Sequence, residues 1–212
     1  MKQLSFFIFF FLCITELVAQ ENIITEIQAD VDNDKRNEKI VVTELEEQGE
    51  YGKIRQLDIY KWQNKKWQKM VTSRTAVLGS EGGGMMGDPF FDKNLSVKNS
   101  IITIEHNGGS SWKWGTTHKY RYQNNRFELI GYSTIFGKPC EYWGEFDYNL
   151  SNGKIHYKKE YETCEEDYGD PVISKTEDET FRKKLKKLPT LENINTYEIK
   201  ITSPKFKEEL NF

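Results

Sequence analysis

Apolar and polar residues alternate along most of this chain, and turn-forming residues punctuate the alternation at short intervals. His118, Tyr120 and Tyr122 interleave with Lys119 and Arg121. Asn124-Asn125 interrupts the run before Phe127 and Leu129 resume it on one face of a segment from Arg126 to Tyr132. A period of two is that of a half-buried strand, and paired asparagines suit a tight turn, so the stretch predicts a hairpin. Phe146, Tyr148 and Leu150 alternate with Asp147 and Asn149, Ser151-Asn152-Gly153 turns the chain, and Ile155, Tyr157 and Tyr161 return, predicting a second hairpin. Upstream, the β-branched run Lys39 to Leu45 and the segments Lys53 to Trp62 and Trp67 to Ser73, which flank Gln63-Asn64-Lys65-Lys66, predict a meander. Tyr197 to Thr202 predicts a final strand.

Helical spacing is found in one place, where Phe181, Leu185 and Leu188 recur before Pro189 and Thr176 with Glu179 fits a capping box. Thr180 and the neighbouring Val172-Ile173 leave an extended conformation open there. Gly79 to Gly87 and Asn107 to Gly115 are expected to be glycine-rich loops. Neither has the strand-to-helix context of a phosphate-binding loop. The fold expected is mainly β, with antiparallel sheets of consecutive hairpins in a small propeller-like or sandwich-like assembly and at most one short helix.

The N-terminus changes the picture. Met1-Lys2-Gln3 is a basic start, Leu4 to Ile14 is apolar with five phenylalanines, and Leu17-Val18-Ala19 offers a small-residue cleavage site. The apolar run is shorter than the roughly 20 residues that span a bilayer, so residues 1–20 are expected to be a signal peptide, with no transmembrane segment after cleavage. Cys13 is disfavoured as a lipidation site because Leu12 precedes it. A periplasmic or secreted chain of a single domain, residues 21–212, is expected. The net charge is −3, and the basic block Arg182-Lys183-Lys184 with Lys186-Lys187 is balanced by Glu177, Asp178 and Glu179, which argues against a nucleic-acid partner. Export makes a disulfide between Cys140 and Cys164 the expected fate of the two cysteines beyond the signal peptide.

The chemistry is concentrated in Asp30-Val31-Asp32-Asn33-Asp34-Lys35-Arg36-Asn37-Glu38, which puts carboxylates at positions 1, 3, 5 and 9 of a loop between two strand-like segments. Alternate oxygens in a tight loop, with the Arg36 carbonyl at position 7, suit a hard cation that takes six or more oxygens. The segment resembles the calcium loops of FG-GAP and VCBS repeats, in which an aspartate-rich turn leads into a strand such as Lys39-Ile40-Val41-Val42. That resemblance implies a structural Ca²⁺ held by Asp30, Asp32, Asp34, Arg36 and Glu38. Glycine is usual at position 6, where Lys35 stands here, and a weak affinity is expected. An EF-hand is disfavoured, because Val41 would occupy the position of its bidentate glutamate. Together with Gly82 to Pro89, Gly108 to Gly115 and Gly137 to Trp143, the loop also resembles short, uncharacterised exported bacterial proteins. One such loop in about 192 residues is too little for an integrin-type propeller.

Other candidates compete with structural roles. Trp112 and Trp114, expected in a loop, are candidate ligand-binding residues, with core packing as the competing use of strand aromatics. His106 and His118 bracket that loop and converge if it is a hairpin, but two histidines make a poor zinc site. A glycosidase pair from Glu141 and Glu145 requires a carboxylate separation that sequence does not supply. No serine or cysteine stands in an activating context. The leading expectation is an exported non-enzymatic module that binds an envelope or extracellular ligand, and the alternative is a secreted hydrolase of polysaccharide or cell-wall material.

Overall fold

The computed structural model describes residues 22–164, 170–194 and 199–211, so the expected signal peptide lies outside the described residues. Thirteen strands form three antiparallel sheets, and no helix among the described residues reaches seven residues. The first sheet is a four-stranded meander of β1 (Asn22–Ala29), β2 (Glu38–Gly49), β3 (Gly52–Gln63) and β4 (Lys66–Ser73). The second has seven strands, β5 (Leu95–Lys98), β6 (Ile101–Gly109), β7 (Lys113–Gln123), β8 (Arg126–Lys138), β9 (Tyr142–Asn149), β10 (Lys154–Thr163) and β11 (Val172–Arg182), which neighbour one another in sequence order. A short hairpin of β12 (Lys200–Thr202) and β13 (Glu209–Asn211) completes the fold. No described helix is long and apolar enough to cross a membrane.

The predicted hairpins form where alternation and turn chemistry agree. Asn124 and Asn125 take φ of 52° and 59°, and Asn64 and Lys65 take 53° and 61°, the left-handed pair that a two-residue hairpin turn needs to match the strand twist. One apolar cluster joins the two larger sheets. The four-stranded sheet contributes Ile40, Val42, Leu57 and Ile59, and the seven-stranded sheet contributes Ile102, Ile104, Tyr120, Leu129, Phe146 and Tyr148. The alternation of buried and exposed positions along β9 and β10 is the period-two pattern realised. The disulfide between Cys140 and Cys164 forms, with Cα atoms 5.2 Å apart, and ties the β8–β9 turn to the end of β10.

One open alternative is decided and one expectation is corrected. The start of the segment with helical spacing belongs to the edge strand β11, paired with β10 from Lys154↔Arg182 to Thr163↔Val172 with one bulge at Ser174. Three apolar residues at helical spacing do not outweigh a ladder that satisfies this backbone, and Leu185 and Leu188 pack on the core from irregular chain beyond the strand. Residues 107–115 are not a long loop. β6 and β7 run through Asn107↔Gly115 and Gly109↔Lys113, leaving Ser110–Trp112 as the turn. Of the predicted final strand, Lys200–Thr202 is β12, while Tyr197 lies outside the described residues.

Candidate functional site

The acidic loop connects β1 to β2 and folds on its own carboxylates. The Asp30 carboxylate accepts hydrogen bonds from the backbone N–H of Asp34 (3.1 Å) and Lys35 (2.9 Å), and Asp32 accepts from Asp34 N–H at 3.2 Å. These bonds curl the chain so that Asn33 and Lys35 take φ of 65° and 70°. Position 6, where glycine is usual in calcium loops, thus has the left-handed backbone that favours glycine, adopted here by a lysine.

One oxygen from each of Asp30, Asp32 and Glu38 lies within 4.8 Å of the others. Glu38 is fully buried. Its Oε2 accepts the Val31 N–H at 3.0 Å, whereas its Oε1 has no hydrogen-bond donor. Burial pushes the Glu38 carboxyl up from its ordinary range, the nearby Asp32 charge adds to this, and the Val31 N–H opposes it.

The positive charge nearest these oxygens comes from the far end of β3. Register places Tyr60 opposite Lys39, so Lys61 emerges beside the loop. Its Nζ bonds Asp32, lies 2.7 Å from Asp34 Oδ2 and 3.7 Å from Glu38 Oε1. Burial pulls the Lys61 ammonium down, but its hydrogen bonds to Asp32 and Asp34 and the Asp32 and Glu38 charges outweigh that, so its pKa rises. Asp34 also holds the Arg36 guanidinium at 2.6 Å, which keeps its carboxyl far below the usual range. Of the five residues expected at the site, three carboxylates converge, Asp34 is shared between two cations, and the Arg36 side chain points to Asp34. Lys61 was not legible as a participant, because 29 residues separate it from Asp32.

At the other end of the four-stranded sheet, a cavity of about 410 Å³ lies between the inner face of the seven-stranded sheet and the segment that follows β4. Thr116, His118 and Tyr120 from β7 and Tyr132, Thr134 and Phe136 from β8 form one wall. They share a face because alternate residues of paired strands do, with Thr116↔Thr134 and His118↔Tyr132 in register. Tyr51 in the β2–β3 turn, Ala76, Leu78 and Ile194 close the opposite side.

The 78–90 segment is held across both sheets. Leu78 N–H donates to His106 Nε2 (3.2 Å), Glu81 N–H to Tyr51 O (3.1 Å) and Gly109 N–H to Gly83 O (2.8 Å). Arg55, buried in β3, donates to Asp88 Oδ1 at 2.7 Å, pairs with Glu44 at 3.3 Å and lies over the Phe90 ring. Gly108 has no room for a side chain, since a Cβ there would come within 2.7 Å of Gly83 and of Trp114 Cζ2.

His106 and His118 converge as their hairpin placement predicts, with ring centroids 6.2 Å apart. Burial pulls both imidazoles down, His106 to about 3 with help from the His118 and Arg55 charges, and His118 to about 4. Of the two candidate tryptophans, Trp114 lies on β7 and lines the cavity. Trp112 sits in the turn, stacked 5.1 Å from Phe136 and edge-on to Tyr142. Neither Glu141, in the turn before β9, nor Glu145, exposed on β9, lines this cavity. Comparison with protein-family models, curated proteins and solved structures found no match.

Proposed function

We propose that the chain is an exported, non-enzymatic binding module whose first loop is pinned by one structural Ca²⁺ ligated by Asp30, Asp32 and Glu38, with Asp34 and the Arg36 carbonyl completing the shell. The observation that carries the reading is the Glu38 carboxylate, which is fully buried, converges with those of Asp30 and Asp32, and has one oxygen that accepts no hydrogen bond. Burying a carboxylate oxygen without a donor is costly, and a divalent cation removes that cost more completely than one ammonium 3.7 Å away. Hard carboxylate oxygens are the donor set Ca²⁺ prefers, and Lys61 on its flexible stem can withdraw when the cation arrives. The ion would supply loop rigidity, and the half-open cavity beyond β3 supports binding as the activity.

The test is the thermal unfolding midpoint of the purified protein in millimolar Ca²⁺ and in EGTA, beside Glu38→Gln. A ligand that binds only the folded state raises the midpoint. The expected result is a Ca²⁺-dependent rise that Glu38→Gln loses. Equal midpoints for the wild type in both buffers would refute the metal site.

A further inference from the structure

Residues that line the cavity carry polar atoms with no partner. His106 Nδ1, both ring nitrogens of His118 and the Tyr120 hydroxyl are buried and make no hydrogen bond. All three residues line the cavity, and at most 4% of any of them is exposed. Buried polar atoms are nearly always paired in a folded protein, so four orphans on one wall mark a place built for a partner.

Their chemistry is specific. Because a backbone N–H only donates, the bond from Leu78 fixes His106 Nε2 as acceptor, and the proton of the neutral ring sits on Nδ1, a donor that has no acceptor in the protein. His118 as a neutral imidazole offers one donor and one acceptor, and Tyr120 offers a hydroxyl that does both. The His106 and His118 ring centroids are 6.2 Å apart and those of His118 and Tyr120 6.3 Å, a spacing that one small hydrogen-bonding edge can reach across. The rest of the lining is aromatic, from Trp114, Tyr132 and Phe136, together with Leu78 and Ile194. The volume of about 410 Å³ is that of a small-molecule site.

We propose that this cavity binds an uncharged planar small molecule whose ring lies among Trp114, Tyr132 and Phe136. Its adjacent donor and acceptor, as in an aromatic amide or lactam, meet His106, His118 and Tyr120. An ionic ligand does not suit these groups. The charge of the nearby Arg55 guanidinium is paired with Asp88 and Glu44 through its terminal nitrogens, with Nε left unbonded, and burial keeps both imidazoles uncharged. The proposal deepens the reading of the chain as a binding module by naming the ligand class.

Benzamide, benzoate and benzamidinium share a shape and differ in charge, so they probe the class directly by ligand-observed NMR and quenching of tryptophan fluorescence. The purified protein is titrated in Ca²⁺ and again in EGTA beside two variants. Tyr120→Phe removes one orphan hydroxyl without changing shape, and Thr134→Phe fills the cavity. Benzamide is expected to bind with a dissociation constant on the order of 1 mM, the charged analogues about tenfold or more weaker. Tyr120→Phe is expected to weaken benzamide about fivefold with an equal or higher thermal midpoint, and Thr134→Phe to abolish binding. No saturable binding in the millimolar range, benzoate binding more tightly than benzamide, or affinity indifferent to both variants would overturn the proposal. Failure of the Ca²⁺ response with benzamide binding intact would count against the loop alone, which keeps the two tests separate.

Discussion

Replacing Lys61 by methionine distinguishes a metal loop from a settled ion pair, because the variant keeps the aliphatic stem and removes only the charge. The ammonium contacts Asp32, lies 2.7 Å from Asp34 and 3.7 Å from Glu38. Side-chain exposure is 13% for Lys61, 7% for Asp32 and none for Glu38, so the pairing belongs between the surface and buried limits. Exposed pairs are worth roughly 0–1 kcal/mol, and removing one partner of a buried pair costs roughly 3–5 kcal/mol. A loss of about 2 kcal/mol is expected without Ca²⁺, or about 4–8 °C in a chain of this size. The proposed Ca²⁺ would compete for the same oxygens, so in the variant it would no longer have to expel Lys61, and its affinity is expected to rise by up to about thirtyfold. Saturating Ca²⁺ therefore brings the two proteins to nearly the same midpoint. Calorimetric unfolding in EGTA and in a Ca²⁺ series reads both numbers. A deficit that Ca²⁺ leaves undiminished would make Lys61 an ordinary structural ion pair and refute the competition, and no deficit in EGTA would refute its role as the loop's resident cation.

Three further outcomes follow from the geometry. The fold depresses the pKa of His106 and His118 to about 3 and about 4, so below about pH 6.5 the unfolded chain binds more protons. Stability is thus complete above that pH and falls as pH drops, by up to about 3 kcal/mol per pH unit for the pair; urea midpoints at pH 7 and pH 5 check this, and an unchanged slope in His118→Phe would contradict it. Gly108→Ala should cost about 2 kcal/mol and alter Trp114 fluorescence, because its Cβ meets Gly83 and Trp114 at 2.7 Å; wild-type stability in that variant would show that the contact relaxes freely. Reducing the Cys140–Cys164 bond, which spans a sequence separation of 24, should lower stability by about 3.5 kcal/mol on the chain-entropy model, measured as the urea midpoint with and without dithiothreitol.

The hairpins were readable because each rests on local signals that agree, as at Asn124-Asn125, where alternation on both sides meets a turn pair in the left-handed region. The β11 segment left two readings open because its edge position leaves most of the strand exposed, so no alternation of apolar residues records the pairing, while Phe181, Leu185 and Leu188 imitate a helical stripe. Glycines at 108, 109 and 115 suggested a loop. The reason for the first is tertiary: it admits the backbone of Gly83 against β6. The acidic loop was visible as a string of aspartates, but its counter-ion was not, since Lys61 reaches it only through the β2–β3 register. The convergence of the two histidines was implied by the hairpin, whereas the Leu78 N–H that sets the His106 tautomer comes from a segment 28 residues away.

These long-range placements also determine whether the two sites communicate. The acidic loop enters β2 at Glu38, and the turn that carries Tyr51 to the cavity follows the other end of that strand, at Gly49. Twelve residues of extended chain put about 35 Å between them. The strand pair that joins the ends is anchored midway by Arg55, whose bonds to Glu44 and Asp88 lock β2, β3 and the 78–90 segment together. A packed sheet fastened in this way resists a second arrangement for Ca²⁺ to select, and coupling between sites requires an element with two states that both ligands bias. Ca²⁺ should therefore raise the unfolding midpoint while leaving the affinity for benzamide unchanged, and a dependence of that affinity on Ca²⁺ would show that the β2–β3 hairpin moves as a unit between the two ends.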